Sequence, residues 1–571
     1  MRETLTVSRR TFAAGLAAAG LAGCAQTTSE AGSAASTSTG AALTVHFVEA
    51  ATSYDDLIGS ATEDVQAWIA DEVYDTDVQA AVRSELDQAI AAGSYTLEAP
   101  LVYRNPFGTN ALSFWIHFTT DAACAVTYTV SVTEEAVAAI EDESLSTTAI
   151  DDFTRAVDGG AFATAHEFQL IGLVAGALNT ITIEGAYEDG TTASFTFEYE
   201  VGALLGDEAL QLEVSEGSSE VEPASGLYVI LGNDSTDADF MYYYDDQGIL
   251  RSEVPVIGYR SHRMLFDAAG TMYYSASQSK MAAQDPLGQI VGVYHLGDFD
   301  LHHDYVWYDD THILVLATDT SRDDSDEDLV ILLDIETGEV RQLVDMGELL
   351  PAYKETAFAY HEANYEGDDD GAAGWMHINS LQYLADEDAV LLSSRETSTI
   401  FKVGAISTEP VLEYLMASPL FWEGTDYEDL LLEPVGDFLI HGGQHCLTYV
   451  EDDALEDGQY YLQFFNNNFG ASASVTNDFD YAGAGIGQGS DPSSYYYVYL
   501  VDEDAGTFEL VDSLAVTYSG YVSSVQWKDG NLIVDSGGKG EFTEFDASYE
   551  PIRTFTMGAD KFIYRVFKYD L

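Results

Sequence analysis

The chain has 571 residues, of which 98 are acidic and only 21 are basic, so its formal net charge is −77. This balance excludes ordinary nucleic-acid binding, which needs a basic footprint, and argues against electrostatic docking on anionic lipid. Hydrophobic residues at 46% and aromatics at 12% are enough for packed cores, so disorder does not account for the charge. The length predicts two or three domains.

Residues 1–24 have the pattern of an export signal. Arg9 and Arg10 stand in SRRTF ahead of a short Ala/Gly/Leu run, which is typical of a Tat signal. The run is too short to span a bilayer. It ends in LAGC, which resembles a lipoprotein processing box with Cys24 as the lipidated residue. An ordinary cleaved signal with an incidental cysteine is the alternative. We expect export via Tat and a lipid anchor on the outer side of the cytoplasmic membrane.

Three changes of pattern divide the next part of the chain. Residues 25–42 are rich in Ser, Thr, Ala and Gly, which predicts a flexible linker. Residues 43–99 have apolar residues at three- and four-residue spacing, which is typical of one or two amphipathic helices in an acidic segment. From 100 to 205 the period becomes two, with the turn signals NPFG and EDG, and this predicts an N-terminal β-sandwich. The stretch LEVSEGSSEVEPASG then predicts a second linker.

The region 220–571 repeats one pattern. Its clearest copy is GWMHINSLQYLADEDAVLLSSRETSTIFKV, in which apolar runs at Ser380–Leu384 and Ala389–Leu392 flank an acidic turn at Ala385–Asp388. A repeated unit of about four short strands is typical of a propeller blade. The sequence therefore predicts a mostly all-β protein, with a six-bladed β-propeller after the N-terminal β-sandwich.

Three copies of the pattern have a His ahead of a strand. HHD carries His302 and His303, WMHINS carries His377, and GQHC carries His445. The first strand of each blade lines the channel of a propeller, so these side chains are expected to converge on one axial pocket. Both residues of HHD precede an Asp, and we prefer His303, which is next to it. His441 is a weaker rival to His445, because it lies ahead of a Gly-Gly pair.

Asn379 and Arg395 complete the candidate site. Asn379 follows one of the histidines in WMHINS, and Arg395 lies at the end of the next strand. Neutral strands that bring His, Asn and Arg to one end indicate a site for a small oxyanion, which the planar guanidinium fork suits. In a further copy, YVSSVQWKDG, Ser523 and Ser524 stand in place of the His. The other histidines are predicted to be structural or on the surface: His46, His117, His166, His262, His295, His312 and His361.

The cysteines other than Cys24 and the acidic runs are predicted to have structural or surface roles. With Cys24 assigned to lipid, Cys124 and Cys446 are too few for a disulfide framework, and Cys446 is predicted to be a small core residue. The acidic runs at 319–328 and 365–371 are predicted to be mostly a solvated surface, and neither has the spacing of an EF-hand.

Several of these motifs resemble one family. NPFGTNALSFWIHF and HEFQLIGLVAGALNTITI resemble the N-terminal sandwich of the bacterial arylsulfate sulfotransferases. HHD, WMHINSLQY with LLSSRETSTIFKV, and GQHCLTYVEDD resemble that family's propeller motifs. The resemblance runs from about residue 95 to the end, but it covers neither the helical segment nor the acidity. It implies that a His takes the sulfuryl group from an aryl sulfate and passes it to a phenol, without a nucleotide donor.

The resemblance also implies a role for each site residue. His445 matches the catalytic nucleophile that accepts the sulfuryl group, while His377, His303 and Arg395 match catalytic groups around it and Asn379 matches a substrate-binding residue. It implies aryl sulfates and phenols as small-molecule partners, no cofactor, no metal and a homodimer.

The residue types suit this chemistry independently of the resemblance. Sulfuryl transfer needs a nucleophile active near neutral pH, cations or N–H donors on three oxygens, and a proton donor for the leaving phenoxide. Neutral imidazole, Arg and a second His fit these roles. The chain also has no P-loop GxxxxGK[ST].

Two alternatives remain open. The three histidines of the repeat could bind a divalent cation in a metal-dependent propeller lyase or hydrolase, although Arg395 argues against a cation beside it. The propeller could also bind a sulfated ligand without turnover, tethered by its lipid.

Overall fold

Seven β-sheets form the framework of the described residues. The computed structural model describes residues 43–48, 52, 54–206, 208–232, 239–258, 260–364, 374–472, 479–487, 492–558 and 562–571. Arg9, Arg10, Cys24, the linker at 25–42 and the acidic run at 365–371 lie outside the described residues. Among the residues that are described, no helix has both the length and the apolar character that a membrane crossing requires.

A helical segment precedes the first sheet. Helix α1 (Thr62–Trp68) continues into a π-helical turn, and α2 (Thr76–Ala92) follows it. The carboxylate of Asp75 accepts hydrogen bonds from the amides of Asp77 and Val78 at 2.8 and 3.1 Å, and so caps the N-terminus of α2. Helix α2 buries Val82 and Leu86 against Trp115 of the sandwich. Its apolar face, which the sequence spacing predicted, therefore belongs to the N-terminal core.

The N-terminal sandwich is built around one long strand. Its strands are β1 (Leu101–Arg104), β2 (Phe114–Val132), β3 (Phe153–Ala156), β4 (Ala163–Leu170), β5 (Leu178–Tyr187) and β6 (Thr192–Glu200), with helix α3 (Glu134–Val137) after β2. The first part of β2 pairs with β1 and β4, and its second part pairs with β3 and β5. Phe114 of the first part packs on Phe197 and Tyr199 of β6, with ring centroids 5.7 and 5.1 Å apart. The two layers therefore share β2.

Six further sheets follow. The first three contain β8 (Leu227–Ile230), β9 (Phe240–Tyr244) and β10 (Leu250–Pro255), then β11 (Leu265–Phe266), β12 (Met272–Ser277), β13 (Lys280–Gln284) and β14 (Ile290–His295), then β15 (Phe299–Asp309), β16 (His312–Asp319), β17 (Leu329–Asp334) and β18 (Val340–Asp345). Helices α4 (Met346–Leu349) and α5 (Pro351–Asn364) come next.

The other three sheets are antiparallel apart from β23, which pairs parallel with β27. They contain β19 (Ile378–Leu384), β20 (Ala389–Ser394), β21 (Thr399–Gly404) and β22 (Val411–Met416), then β23 (Glu433–Val435), β24 (His445–Val450), β25 (Gln459–Asn466), β26 (Ser494–Asp502) and β27 (Thr507–Val516), then β28 (Ser524–Lys528), β29 (Asn531–Ser536), β30 (Glu541–Phe545) and β31 (Pro551–Thr556). The predicted hairpin of the fourth sheet is confirmed, with a 3₁₀ turn at Ala385–Glu387.

Two exchanged strands close the set of sheets. Strand β32 (Val566–Tyr569), the last in the chain, pairs with β8 in the first sheet. Strand β7 (Glu213–Glu216) pairs with β31 and becomes the outer strand of the sixth sheet. The stretch predicted to be a linker therefore contributes a strand, because the edge of the sixth sheet offers it backbone partners.

Hydrogen bonds join each sheet to the next around a ring. They run from Met264 N to the Tyr569 hydroxyl, Ser275 N to the Tyr305 hydroxyl, Leu381 N to Asp304 Oδ2, Leu447 N to Ser380 Oγ, Cys446 Sγ to Val525 O, and Val566 N to Ser524 Oγ. This ring is consistent with the six-bladed propeller that the repeat predicted.

The inner strands of the third, fourth and fifth sheets are irregular at the same place. Their pairing registers shift after Leu301, Ile378 and His445. Left-handed backbone angles accompany these bulges, with φ of +53° at His303, +49° at His377 and +57° at Cys446. Bulges redirect side chains, and non-glycine residues with positive φ concentrate at functional sites. His303 and His377 thus lie at strained points of the backbone, and His445 lies directly before one.

The sandwich is docked on the first sheet of the ring. Arg251 of β10 donates to the carbonyl oxygens of Gly172 and Asp151 at 3.1 and 2.9 Å. Two residues along, the carboxylate of Glu253 accepts from the Tyr54 hydroxyl and, at 2.6 Å, from the amide of Gly206. Glu253 is fully buried, and this burial raises its pKa to about 7. One apolar core continues from the sandwich into the first and sixth sheets.

Candidate active site

The inner strands bring three of the predicted histidines together at the centre of the ring. The rings of His303 and His377 lie 4.5 Å apart, centroid to centroid. His445 is near enough to His377 for its charge to lower the pKa of His445. His303 and His445 are buried, whereas the side chain of His377 keeps 17% of its surface exposed. The site therefore reaches solvent on the His377 side.

Hydrogen-bond partners fix the tautomer of His445. Its Nδ1 lies 2.9 Å from the carbonyl oxygen of Gly443 and 2.8 Å from Oδ1 of Asn467. Both partners are acceptors, so Nδ1 carries the proton and Nε2 keeps its lone pair. Burial, together with the charges of the nearby His377 and Arg395, lowers the pKa of His445 to about 3. A neutral imidazole with its Nε2 lone pair available can act as a nucleophile.

Asn467 is itself held in one orientation. Its Nδ2 donates to the carbonyl oxygens of Ser519 and Val522 at 2.9 and 3.0 Å, so its Oδ1 must face His445. Val522 immediately precedes Ser523, which stands where the other copies of the pattern have a His. This copy therefore positions the imidazole of its neighbour and supplies none of its own.

Glu327 lies between two of the histidines. Its Oε2 accepts a hydrogen bond from Nδ1 of His377, and its Oε1 lies 3.6 Å from Nδ1 of His303. Burial would raise the pKa of Glu327, but the charge and hydrogen bond of His377 outweigh it and hold that pKa at about 2. The carboxylate is therefore ionised, and Nδ1 is the proton-bearing nitrogen of His377 that faces it.

The position of Glu327 corrects the prediction that the acidic run at 319–328 is mostly a solvated surface. Asp328 is fully buried, and it accepts hydrogen bonds from the Trp375 indole at 3.1 Å and the Lys354 ammonium at 3.3 Å. Asp319 and Asp324 keep larger exposed fractions. The end of the run turns inward because tryptophan and lysine side chains satisfy its carboxylates there.

Arg395 lies on the open side of the site. Its guanidinium donates from Nε to Glu396 at 3.0 Å, with a second contact from Nη2, and 29% of the side chain is exposed. Its charge lowers the pKa of both His445 and Glu327. Gly443 approaches its stem closely, and with φ of +63° this position favours glycine. Arg395 therefore lies where a bound anion would meet solvent.

A second guanidinium acts on His303. Arg260 stacks over the Tyr564 ring at 4.7 Å, and that ring lies 5.7 Å from the ring of His303. Burial lowers the pKa of His303 well below its ordinary value, and the charges of His377, His302 and Arg260 act in the same direction. His303 is therefore neutral.

Asp304 is the hub beneath the histidines. Its carboxylate pairs with Arg263 at 3.0 Å and with Arg565 at 2.9 Å, and it accepts from Ser380 Oγ at 3.3 Å. Arg565 also donates to the carbonyl oxygen of Asn379 at 3.0 Å. Burial alone would raise the pKa of Asp304, but the two guanidinium groups lower it. Two cations on one carboxylate leave a net positive charge below the site.

Asn379 makes a different contact from the one predicted. Its Nδ2 donates to the carbonyl oxygen of Gln444 at 2.8 Å, and its Oδ1 is buried. The residue thus ties the fourth sheet to the backbone immediately before His445. This contact helps to place the imidazole, and substrate binding by Asn379 stays a prediction.

The other histidines near the ring differ in whether they contact the site. His302 and His303 lie inside β15 and not ahead of it. Both side chains are buried at the bulge of this strand, and their Nδ1 atoms are 2.9 Å apart. His303 is the one that contacts His377. His262, which was predicted to be structural or on the surface, is fully buried with its ring 6.3 Å from that of His303. His441 packs on Phe464 and Tyr499 in the apolar core.

Metal-ligating groups also lie close together here. Among the described residues, the donor atoms of His302, His303 and Glu327 lie within 4.8 Å of one another. However, Glu327 already binds His377, and the charges of Arg260 and Arg395 act on this cluster. These positive charges disfavour a cation and favour an anion.

Sequence reasoning did not assign several residues of this site. Asp304 is the last residue of HHD, and Asn467 belongs to the run of three asparagines that begins at the end of β25. A polar residue beside a repeated motif is therefore the signal that could have identified both. Glu327 and Arg565 had no such signal, because Glu327 lies in an acidic run and Arg565 lies directly before an ordinary strand.

Comparisons with known proteins identify a family for most of the chain. Residues 213–565 match the family described as Arylsulfotransferase (ASST). Residues 101–202 match the one described as Arylsulfotransferase Ig-like domain. A search of curated proteins finds no match.

Three solved structures are distantly similar to this chain. A structure of a nidogen/laminin complex matches with 8% identity and a TM-score of 0.33, covering 60% of this chain and 97% of its own. A putative 6-phosphogluconolactonase from Bacteroides fragilis matches with 11% identity and a TM-score of 0.32, covering 79% and 99%. The WD40 domain of Toxoplasma gondii coronin has 9% identity and a TM-score of 0.30, covering 61% and 76%. TM-scores this low indicate nothing about the function of this protein.

Proposed function

The chain belongs to the arylsulfotransferase family, and we propose that it transfers the sulfuryl group of a phenolic sulfate ester to a phenol through a sulfohistidine on His445. The observation that carries this proposal is the pair of acceptors on Nδ1 of His445, which leaves the Nε2 lone pair for nucleophilic attack. The neutral state of this imidazole, which follows from its buried position, supports the same role.

In the first half-reaction, Nε2 of His445 attacks the sulfur of the donor and the bond from sulfur to the aryl oxygen breaks. The aryl oxygen takes the electron pair, and it receives a proton from Nε2 of His377. Arg395 stabilises the charge on the sulfuryl oxygens. The Nδ1–H of His445 stays bonded to Gly443 and Asn467, whose oxygens stabilise the positive charge on the sulfated ring.

The second half-reaction reverses these roles. An acceptor phenol loses its proton to the neutral Nε2 of His377, and its oxygen attacks the same sulfur. The bond between sulfur and Nε2 of His445 breaks, and the ring recovers its lone pair. No atom or electron is gained or lost over the cycle, so the chemistry needs no nucleotide and no redox cofactor.

A burst experiment tests the covalent step. With 4-nitrophenyl sulfate and no acceptor, the protein should release up to one equivalent of 4-nitrophenol and gain one sulfuryl mass on the peptide that contains His445. His445→Asn should lose both signals, whereas His312→Asn, a change in a surface hairpin, should keep both. Steady turnover by His445→Asn, or an adduct on another residue, would replace this mechanism with direct displacement. Binding of the ester without turnover would favour the non-catalytic alternative.

We also propose that the protein is exported via Tat and anchored by a lipid on Cys24. The proposal rests on SRRTF and LAGC in the sequence. Arg9→Lys with Arg10→Lys should keep the precursor in the cytoplasm, and Cys24→Ala should release mature protein from the membrane fraction. Membrane retention of Cys24→Ala would refute the lipid anchor.

A further inference from the structure

We propose that Glu327 is a positioning residue that fixes which nitrogen of His377 exchanges the proton with the aryl oxygen. The inference rests on the proposed function, because it concerns the proton of that reaction. The observation behind it is the contact between the Glu327 carboxylate and the His377 imidazole. Glu327 lies in a part of the sequence that has the composition of a solvated acidic loop.

The surroundings of Glu327 come from the third and fourth sheets. Oε2 accepts from Nδ1 of His377, while Oε1 faces Nδ1 of His303 at 3.6 Å. His302 and Arg395 complete the charged or titratable groups that act on this carboxylate. His303 is neutral, so the ionised carboxylate makes its close ionic contact with His377. Glu327 therefore directs its charge toward the histidine on the open side of the site.

The backbone of Glu327 is held as firmly as its side chain. Its φ is +52°, a left-handed angle that costs a non-glycine residue free energy. Its amide donates to Thr318 Oγ1 at 2.8 Å, and its carbonyl accepts from the amide of Ile378 at 3.0 Å. The carboxylate and the carbonyl of Glu327 thus bind the consecutive residues His377 and Ile378, while its amide is held by β16. This two-point attachment fixes where the carboxylate lies relative to the imidazole ring.

The attachment has a chemical consequence. With Nδ1–H committed to Glu327, only Nε2 of His377 can give a proton to the leaving aryl oxygen or take one from the incoming phenol. The buried carboxylate of a serine-protease triad fixes the tautomer of its histidine in the same way. The proton moves between Nε2 and the substrate oxygen only, and Glu327 neither gains nor loses one.

Leaving-group dependence tests this inference. A donor with a poor leaving group, such as phenyl sulfate, needs the proton more than 4-nitrophenyl sulfate does. General acid catalysis contributes roughly 10²–10⁴-fold. Glu327→Gln should therefore lower kcat/KM about 100-fold for phenyl sulfate and less than about 5-fold for 4-nitrophenyl sulfate. Glu327→Asp, which keeps the charge, should recover part of the loss with phenyl sulfate.

Glu396→Gln is the matched control. Glu396 pairs with Arg395, whose proposed contact is with the sulfuryl oxygens and not with the aryl oxygen. Its loss should therefore lower kcat/KM for the two donors by similar factors. Equal losses for both donors with Glu327→Gln, or no loss with either, would overturn the inference. Thermal unfolding of each variant checks the fold. Absence of an adduct in the wild-type protein would instead overturn the proposed function.

Discussion

Two buried carboxylates of this protein have pKa values that are shifted in opposite directions. Asp304, beneath the histidines, is paired with the guanidinium groups of Arg263 and Arg565, which lower its pKa. Glu253, where the sandwich meets the ring, has the Tyr54 hydroxyl and a backbone amide as partners, and burial raises its pKa to about 7. Both side chains are fully buried. The difference shows that a nearby cation, and not depth, decides whether a buried carboxylate stays charged.

The comparison also shows where the chain places its scarce cations. Only 21 of its residues are Lys or Arg, yet Arg260, Arg263, Arg395 and Arg565 all lie around the histidines. The interface between the domains uses neutral hydrogen bonds for Glu253. The positive charge is thus concentrated where an anionic substrate group would bind.

The largest effect should follow from removing the charge of Asp304. Asp304→Asn leaves Arg263 and Arg565 buried without a counter-charge, and breaking a buried pair in this way costs roughly 3–5 kcal/mol of unfolding free energy. Urea denaturation would measure the loss. Asp309→Asn, in an exposed turn of the same sheet, should change the value by less than about 0.5 kcal/mol. Equal unfolding free energies for the two variants would mean that water already stabilises the charges of Arg263 and Arg565.

A smaller effect of opposite sign is expected at Glu253. Its folded pKa of about 7 exceeds its ordinary value of 4.5, so its contribution to stability is complete below about pH 4.5 and is lost as the pH rises through 7. At pH 8 this loss amounts to about 3 kcal/mol, and Glu253→Gln should remove it. The unfolding free energy of the variant, relative to wild type, should therefore increase between pH 5 and pH 8. A difference that is independent of pH would show that Glu253 is ionised in the folded protein.

The smallest effect concerns the surface. Exposed carboxylates repel one another, and salt screens this repulsion within a Debye length of about 10 Å at 0.1 M. We expect moderate NaCl to raise the Tm of wild type by a few degrees and to leave the penalty of Asp304→Asn nearly unchanged, since that hub is buried. A flat Tm up to about 1 M would mean that the surface charges lie too far apart to interact.

The sequence allowed the framework of the site to be predicted but not its electrostatics. His377 and His445 could be found because each precedes a strand in a repeated pattern, and strand order in a propeller places such residues at one axis. Glu327 could not be found, since nothing in an acidic run marks which of its carboxylates turn inward. Its inward turn depends on Trp375 and Lys354, which bind the adjacent Asp328.

Strand exchange was equally hidden in the sequence. Glu213–Glu216 has the composition of a linker, and it becomes a strand only because β31 offers an unpaired edge. Arg565 lies directly before β32 and reaches Asp304 from a sheet whose other strands begin at Leu227. Contacts between such distant segments depend on the closed ring, which no local pattern encodes.

Closure by β32 also sets an order of assembly. Its partner β8 is synthesised near the start of the ring, and at roughly 5–20 residues per second it waits tens of seconds for β32. Arg565, which joins Asp304 to the backbone of Asn379, arrives with that same strand. A nascent chain that stops short of it has every histidine of the site but neither the closing strand nor the guanidinium of the hub. We therefore expect a product that is truncated before Arg565 to lack the proposed sulfuryl transfer.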